Sequence, residues 1–255
     1  MKFRLLTLAY FFIAANGVMQ VSHAQSETAM AGVVKAAMQA ADIREDDVDR
    51  DANRKPVETL DFFGITPEMK VLELIPGGGW YTKLLGPALR EKGELHVSLF
   101  TNRAEALIEA PSMDKVKIIG TSEVEVSDGN LPRLRTINQF TFNESGYDAV
   151  LTFRNMHNFD DVGRMHINEA SFKALKSGGI YGVVDHTRRH NEAHSDDSRR
   201  RADPVTIIKE VQAAGFEFVD FSDLHYRPTD DLTKEVGEDG VSGNSDRFTF
   251  LFRKP

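Results

Sequence analysis

The apolar positions of this chain change their period as it proceeds. Val33, Val34, Ala37, Met38 and Ala41 recur at helical spacing within the Ala-rich stretch Ser26 to Ala41, which predicts a helix laid on a domain surface. The charged segment Arg44 to Lys55 reads as a solvated linker or polar helix. Pro56 stands where a helix can start, Val57, Leu60, Phe62 and Phe63 give it an apolar face, and Gly64 stops it. From there short apolar runs alternate with helical patterns. The pattern predicts a strand at Lys70 to Leu74, a helix at Trp80 to Glu91, and strands at Glu94 to Phe100 and Val116 to Ile119. It continues with a strand at Tyr147 to Phe153, a helix at Asp161 to Leu175, and a strand at Gly179 to Asp185. Asp203 and Pro204 open a helix that Gly215 closes, and strands at Phe216 to Phe221 and Arg247 to Arg253 follow with no convincing helix between them. Glu123 to Gly146 reads as a long loop with a short strand.

This alternation implies an α/β fold, a mostly parallel sheet covered by helices on both faces. A last strand reached without a crossover helix can return antiparallel. With 255 residues, 41% of them hydrophobic and 27% charged, the chain can bury one substantial core. The domain is placed over 56–255, with a helical extension and linker over 25–55. A formal charge of −8 argues against a broad nucleic-acid footprint and for small-molecule chemistry.

The first 24 residues change the picture of where the chain works. Lys2 and Arg4 form a positive start, Leu5 to Ala15 an apolar run too short to span a bilayer, and Ser22-His23-Ala24 a small-x-small cleavage site. We read residues 1–24 as a signal peptide, with an uncleaved N-terminal helix or anchor as the alternative. The expected product is exported, periplasmic and not inserted in the membrane after cleavage. No cysteine is present, so neither disulfides nor a lipid-attachment thiol are available to it.

Chemistry is expected beyond the carboxyl ends of the strands, where open α/β sheets bind ligands. The first such end is the richest, because VLELIPGGGWYT runs from a buried strand through Glu73 into Gly77, Gly78 and Gly79. Three glycines let the backbone approach a ligand closely, and the helix that follows turns its unpaired N–H groups to the same place. The other ends carry Thr101-Asn102, Arg154-Asn155-Met156-His157-Asn158, and Asp185-His186. A dinucleotide fingerprint would need glycine where Thr82 stands and an acid near Leu99 and Phe100, so a nicotinamide-dependent oxidoreductase is disfavoured. Glu73 would also repel a pyrophosphate, whereas it would attract a cationic amino group.

VLELIPGGGW, YDAVLTFRNMHNF, LKSGGIYGVVDH, RADPVTIIKEVQAAGF and SDRFTFLFRKP together resemble the class I S-adenosylmethionine-dependent methyltransferase superfamily. They are most similar to its branch of exported bacterial predicted methyltransferases, in which a GGGWYT loop and an FRNxHN segment go together. The resemblance covers Arg50 to Pro255. It implies a Rossmann-like seven-stranded sheet with an antiparallel last strand, S-adenosylmethionine as cofactor and a small-molecule methyl acceptor. By the same resemblance Glu73 lies near the methionine end of the cofactor. Gly77 and Gly79 match the loop glycines, Gly78 the variable position between them, and Ile75-Pro76 stands where many members have glycine. Leu99 to Asn102 lacks the acid that holds the ribose in the family; Asn102 or Glu105 is the substitute, and a non-catalytic periplasmic protein binding a nucleoside or other metabolite is the alternative function.

In the FRNMHN segment, Arg154 is expected to fix an anionic substrate, Asn155 to orient acceptor or cofactor, and His157 to act as general base. The plainer alternative is that these groups tie loops together. Tyr81 is the preferred aromatic contact to the ligand, with Trp80 packed on the sheet or lining the acceptor pocket. His186, His190 and His194 recur every four residues, as metal ligands on a helix would, but five arginines around them argue for a polar lid, and no metal is assigned. Arg54 and Asp246-Arg247 read as an ion pair or loop ties near the rim.

Overall fold

A computed structural model describes residues 28–255, and the leader expected over 1–24 lies outside the described residues. The first element, α1 (Ala29–Met38), is capped by the Thr28 hydroxyl, which accepts from the Ala31 N–H at 3.1 Å. Its buried stripe of Met30, Val34 and Ala37 packs into the core, as the helical spacing predicts.

Of the two readings of the charged stretch that follows, the structure shows the polar helical one and not the solvated linker. The stretch folds into α2 (Ala41–Arg44), a 3-10 turn (Glu45–Arg50) and α3 (Asp51–Arg54), burying the side chains of Arg44 and Arg54. Lys55 takes a left-handed conformation with φ 40°, breaking α3 from α4 (Pro56–Phe62), which begins at the proline as its sequence predicts.

A seven-stranded sheet then forms from β1 (Lys70–Leu74), β2 (Glu94–Ser98), β3 (Lys117–Ile118), β6 (Tyr147–Phe153), β7 (Leu175–His186), β8 (Glu217–Ser222) and β9 (Arg247–Arg253). The hairpin of β4 (Val126–Asp128) and β5 (Arg135–Ile137) stands apart, inside the segment expected to be a loop with a short strand. The sheet order is β3-β2-β1-β6-β7-β9-β8, with β9 antiparallel to both neighbours and every other pairing parallel.

Alternation along β1 builds the two layers, since successive side chains of a strand face opposite ways. Val71 joins Ala149, Leu151 and Phe153 beneath α1, α4 and α5 (Thr82–Leu89). Leu72 and Leu74 join Val150, Tyr181 and Val183 beneath α6 (Asp161–Ala174) and α7 (Pro204–Ala213). Asp203 caps α7 as read from the sequence, accepting from the Val205 N–H at 2.9 Å.

Several boundaries differ from the sequence reading, among them the start of β7 at Leu175 rather than Gly179, and two of them shape the site. Strand β2 ends at Ser98, because Leu99 and Phe100 both turn left-handed, with φ 64° and 52°. Helix α5 starts at Thr82 rather than Trp80, because Gly77 to Tyr81 form turns above the strand end. Among the described residues no helix is long and apolar enough to cross a membrane. Sheet order reverses between β1 and β6, so the crevice at their carboxyl ends is where a ligand is best accommodated.

Candidate active site

The loop after β1 is held open by strain and clasped from two sides. Ile75, a β-branched residue, sits at φ 52°, a costly conformation for such a side chain. Its N–H donates to the Ser98 carbonyl of β2 at 2.9 Å. From the other side the Asn155 amide nitrogen donates to the Leu74 carbonyl at 3.1 Å, with the Ile75 carbonyl at 3.3 Å. Gly77 and Gly79 take φ values of 59° and 78°, as the turn demands. A Cβ on Gly77 would project into open space, whereas one on Gly79 would come within 2.4 Å of Leu107.

Beneath the loop, Glu73 is buried and accepts from the Thr82 hydroxyl at the start of α5 at 2.7 Å. Burial pushes its carboxyl up to about 7, against the opposing pull of that hydrogen bond. Among the described residues it has no cationic partner within 4 Å.

The segment after β6 supplies the chemistry. Arg154 turns left-handed at φ 64°, and its N–H donates to the Val184 carbonyl at 2.7 Å. This bend lets a short 3-10 turn (Met156–Asn158) carry His157 under the end of β7. His157 Nδ1 lies 2.5 Å from Asp185 Oδ1, and its backbone N–H donates to Asp185 Oδ2 at 3.0 Å. A carboxylate only accepts, so the proton of the neutral ring belongs on Nδ1, leaving Nε2 with the lone pair of a base. His186, whose ring is 5.5 Å from that of His157, bonds through Nδ1 to the Ser245 hydroxyl at 2.8 Å. Burial first, then the neighbouring His157 ring and the positive charges of Arg247, Arg154 and Arg201, holds His186 well below the ordinary histidine range and keeps it neutral.

These two loops face one cavity of about 470 Å³. Pro76, Gly77 and Gly78 border it from the first loop, and Arg154, Asn155 and His157 from the second. Trp80 and Arg54 close one side, with the Arg54 guanidinium carbon 4.3 Å from the indole centroid. His157 also borders a smaller cavity of about 140 Å³ that reaches toward Asp160 and Arg188. A third space of about 480 Å³ is bordered by Ile75, Phe100 and Phe159.

Other residues singled out from the sequence lie elsewhere. Glu73 and Gly79 support the loop without bordering the main cavity. Tyr81 is buried flat against Phe153, ring centroids 3.6 Å apart, with its hydroxyl donating to the Arg54 carbonyl at 3.2 Å. Asn102 is exposed on a one-turn 3-10 helix (Thr101–Arg103), and it is Arg103 of that turn that reaches the cavity. Arg247 ties loops, donating to the carbonyls of Asn53 at 3.1 Å and Gly243 at 3.3 Å, and Asp246 forms an ion pair with neither Arg247 nor Arg54.

The three evenly spaced histidines share no helix face. His190 pairs with Asp203 and His194 meets the Pro132 carbonyl, so each has its own partner. Among the described residues no group of three or more metal-ligating side chains is placed to hold an ion. Sequence reasoning missed the pairing of Asp185 with His157 and the entry of Arg54 into the cavity. The first left a signal: β6 and β7 run parallel with Phe153 level with Val184, so the residues just beyond must meet.

No family model matches the sequence, and no curated protein is similar to it in sequence. Solved structures are similar in shape. An S-adenosylmethionine-dependent methyltransferase from Aquifex aeolicus matches with a TM-score of 0.53 at 14% identity, covering 87% of this chain and 97% of that one. The glycopeptide N-methyltransferase MtfA, complexed with sinefungin, matches with a TM-score of 0.51 at 14% identity over 80% of this chain and 87% of its own. The fold is that of the S-adenosylmethionine-dependent methyltransferases. The [4+2]-cyclase SpnF also matches, with a TM-score of 0.51 at 15% identity over 80% of each chain, so this methyltransferase fold serves more than one chemistry and function is argued from the site.

S-adenosylmethionine can be tested against the site itself. The open face of Gly77 gives its backbone room to approach a ligand, and the stacked rings of Phe100 and Phe159 border a space with aromatic surface for a planar base. Glu73 is a buried carboxyl without a cationic partner, but it lies beneath the loop and outside the main cavity, so it shapes the cradle through Thr82 rather than by touching a ligand there. The end of β2 offers Leu99 and Phe100 and no carboxylate for a ribose. On these observations the glycine loop and the aromatic wall beside it leave room for the cofactor.

Proposed function

We propose that the chain is an exported enzyme that transfers a methyl group from S-adenosylmethionine to a small-molecule acceptor. The observation that carries the reading is the His157–Asp185 pair, whose histidine borders the same cavity as the glycine loop. The cofactor, when bound, supplies an electrophilic methyl group. Gly77 and Gly78 give it a close backbone seat, and Asn155 fixes the relation between the two loops by bonding the strand end of β1.

His157 then takes the proton from the acceptor heteroatom as that atom attacks. Nε2 receives it, and the Asp185 carboxylate across the ring holds the imidazole in orientation and balances the positive charge that develops. Trp80 and Phe153 form the apolar part of the cavity wall and limit water around the reacting atoms.

Calorimetric titration of protein lacking residues 1–24 with S-adenosylmethionine and with its demethylated product tests the reading. Saturable binding of both is expected. Absence of binding at millimolar cofactor overturns it.

A further inference from the structure

We propose that Arg54 and Arg154, backed by Arg247, form an oxyanion seat in the cavity beside His157, so that the small molecule bound there carries a carboxylate, phosphate or sulfate group. Calling that molecule the methyl acceptor rests on the function proposed above; the anion seat stands on its own geometry.

The decisive contrast is between two kinds of arginine that are buried or partly buried. Arg44 pairs with Asp51, Arg164 with Glu210 at 2.6 Å, and Arg201 with Asp230 at 2.9 Å. Each of these is a structural ion pair of the sort that makes a buried charge tolerable. Arg54, Arg154 and Arg247 have no carboxylate within 4 Å among the described residues. Arg54 is 9% exposed, borders the cavity, and leaves a buried guanidinium nitrogen without a hydrogen-bond partner. Arg247 likewise leaves its Nε unpaired. The one acid on the cavity wall, Asp47, is engaged by Lys83 at 2.6 Å.

The three arginines also crowd one another. Burial, then the charges of Arg154, Arg247 and Arg50, pulls Arg54 down to about 9. Burial and Arg154 pull Arg247 down to about 10, and burial lowers Arg154 as well. Like charges desolvated together are unfavourable unless something negative completes the group. An oxyanion supplies that charge and presents lone pairs to the planar fork of each guanidinium.

The fold invests in this arrangement. The left-handed Lys55 stops α3 at Arg54, whose carbonyl is pinned by the Tyr81 hydroxyl at 3.2 Å and by His225 Nε2 at 3.0 Å. Burial holds His225 down at about 4, so it stays a neutral donor there. Trp80 supports the guanidinium plane, and Arg154 arrives from the opposite loop at its own positive φ. Rigid, uncompensated charge converging on a cavity is the local conflict expected at a functional site rather than in a core.

The test uses protein lacking residues 1–24, without cofactor, at low ionic strength. Inorganic phosphate, sulfate and malonate are titrated by calorimetry, with sodium chloride of matched ionic strength as control. Saturable binding of at least one dianion is expected, with malonate against phosphate separating a carboxylate seat from a tetrahedral one. Arg54→Gln and Arg154→Gln should each weaken binding at least tenfold while leaving the melting temperature equal or higher, since each removes a buried unpaired charge. An arginine that merely braces the fold would instead lower the melting temperature and leave anion affinity unchanged, which would overturn the proposal, as would chloride-like binding of every anion. Because cofactor is absent, failure to bind S-adenosylmethionine leaves this result standing, and loss of anion binding alone leaves the methyltransferase reading standing.

Discussion

His157 Nδ1 lies 2.5 Å from Asp185 Oδ1, and the other carboxylate oxygen accepts the backbone N–H of the same histidine at 3.0 Å. One acid therefore fixes both the ring and the loop that carries it. The pair joins the ends of two adjacent parallel strands, where catalytic groups of this fold class converge.

If the imidazole is the base, His157→Gln removes the proton acceptor and Asp185→Asn removes the group that orients it. Either change should lower the rate of methyl transfer by about 100- to 10,000-fold. Cofactor affinity should stay within about threefold of the parent, because a base acts on the transition state more than on ground-state binding. Single-turnover rates together with calorimetric affinities check this; equal loss of both parameters would assign the pair to architecture.

Stability should respond to pH in two opposing ways. Glu73, raised from 4.5 to about 7 by burial, stabilises the fold fully below pH 4.5 and loses that contribution as pH rises through about 7. The cost of ionising it is on the order of 3 kcal/mol above that range. His225, lowered from 6.5 to about 4, acts in the reverse sense, with its contribution present above pH 6.5 and lost as pH falls through about 4. His186 shifts in the same direction as His225.

Glu73→Gln isolates the first effect, since the amide oxygen still accepts from Thr82 and carries no charge. Its melting temperature should exceed that of the parent by roughly 5–10 °C at pH 8, with the gap closing toward pH 4.5. Melting curves measured from pH 4 to 9 on both proteins decide it, and parallel curves would show that Glu73 does not titrate in this window.

The loop glycines should separate binding from stability. Gly77→Ala costs on the order of 1–2 kcal/mol of stability for its left-handed backbone. Its methyl would project into open space, so cofactor affinity should fall further than stability does. Gly79→Ala meets Leu107 at 2.4 Å as well as φ 78°, so its stability loss should be the larger of the two. Denaturant titration and cofactor calorimetry on both variants would show the two orders; the same order in both would remove the distinction.

A last prediction concerns the support of Arg54. Tyr81→Phe deletes one of the three side-chain donors to the Arg54 carbonyl, leaving Thr59 and His225, and keeps the stack on Phe153. Stability should fall by about 1 kcal/mol, typical of one net hydrogen bond with a partner left in place. If Tyr81 touched the cofactor instead, S-adenosylmethionine affinity would drop without a matching loss of stability.

Legibility from sequence followed the range of the forces involved. Strands β1, β6 and β9 were readable because a strand buried on both faces writes a continuous apolar run into the sequence. Pro56, Asp203 and Gly215 mark element ends through local backbone chemistry that needs no tertiary partner. The end of β2 was not readable, because Leu99 and Phe100 turn left-handed without a glycine to announce it. Nor was the fate of Arg44 to Lys55, whose charges look solvated until Asp51, Trp80 and the cavity are brought beside them.

By itself, then, the sequence determined the alternation of strands and helices, the glycine turn after β1 and the polar cluster after β6, since each depends on residues close in the chain. Only the tertiary structure decided that Asp185 serves His157, that Tyr81 and His225 serve Arg54, and that Arg54 and Arg154 from separate segments border one cavity with neither paired to a carboxylate. Those relations depend on the distance between side chains tens to nearly two hundred residues apart, and that distance is set by the stacking of the sheet and its helices rather than by any local run of residues.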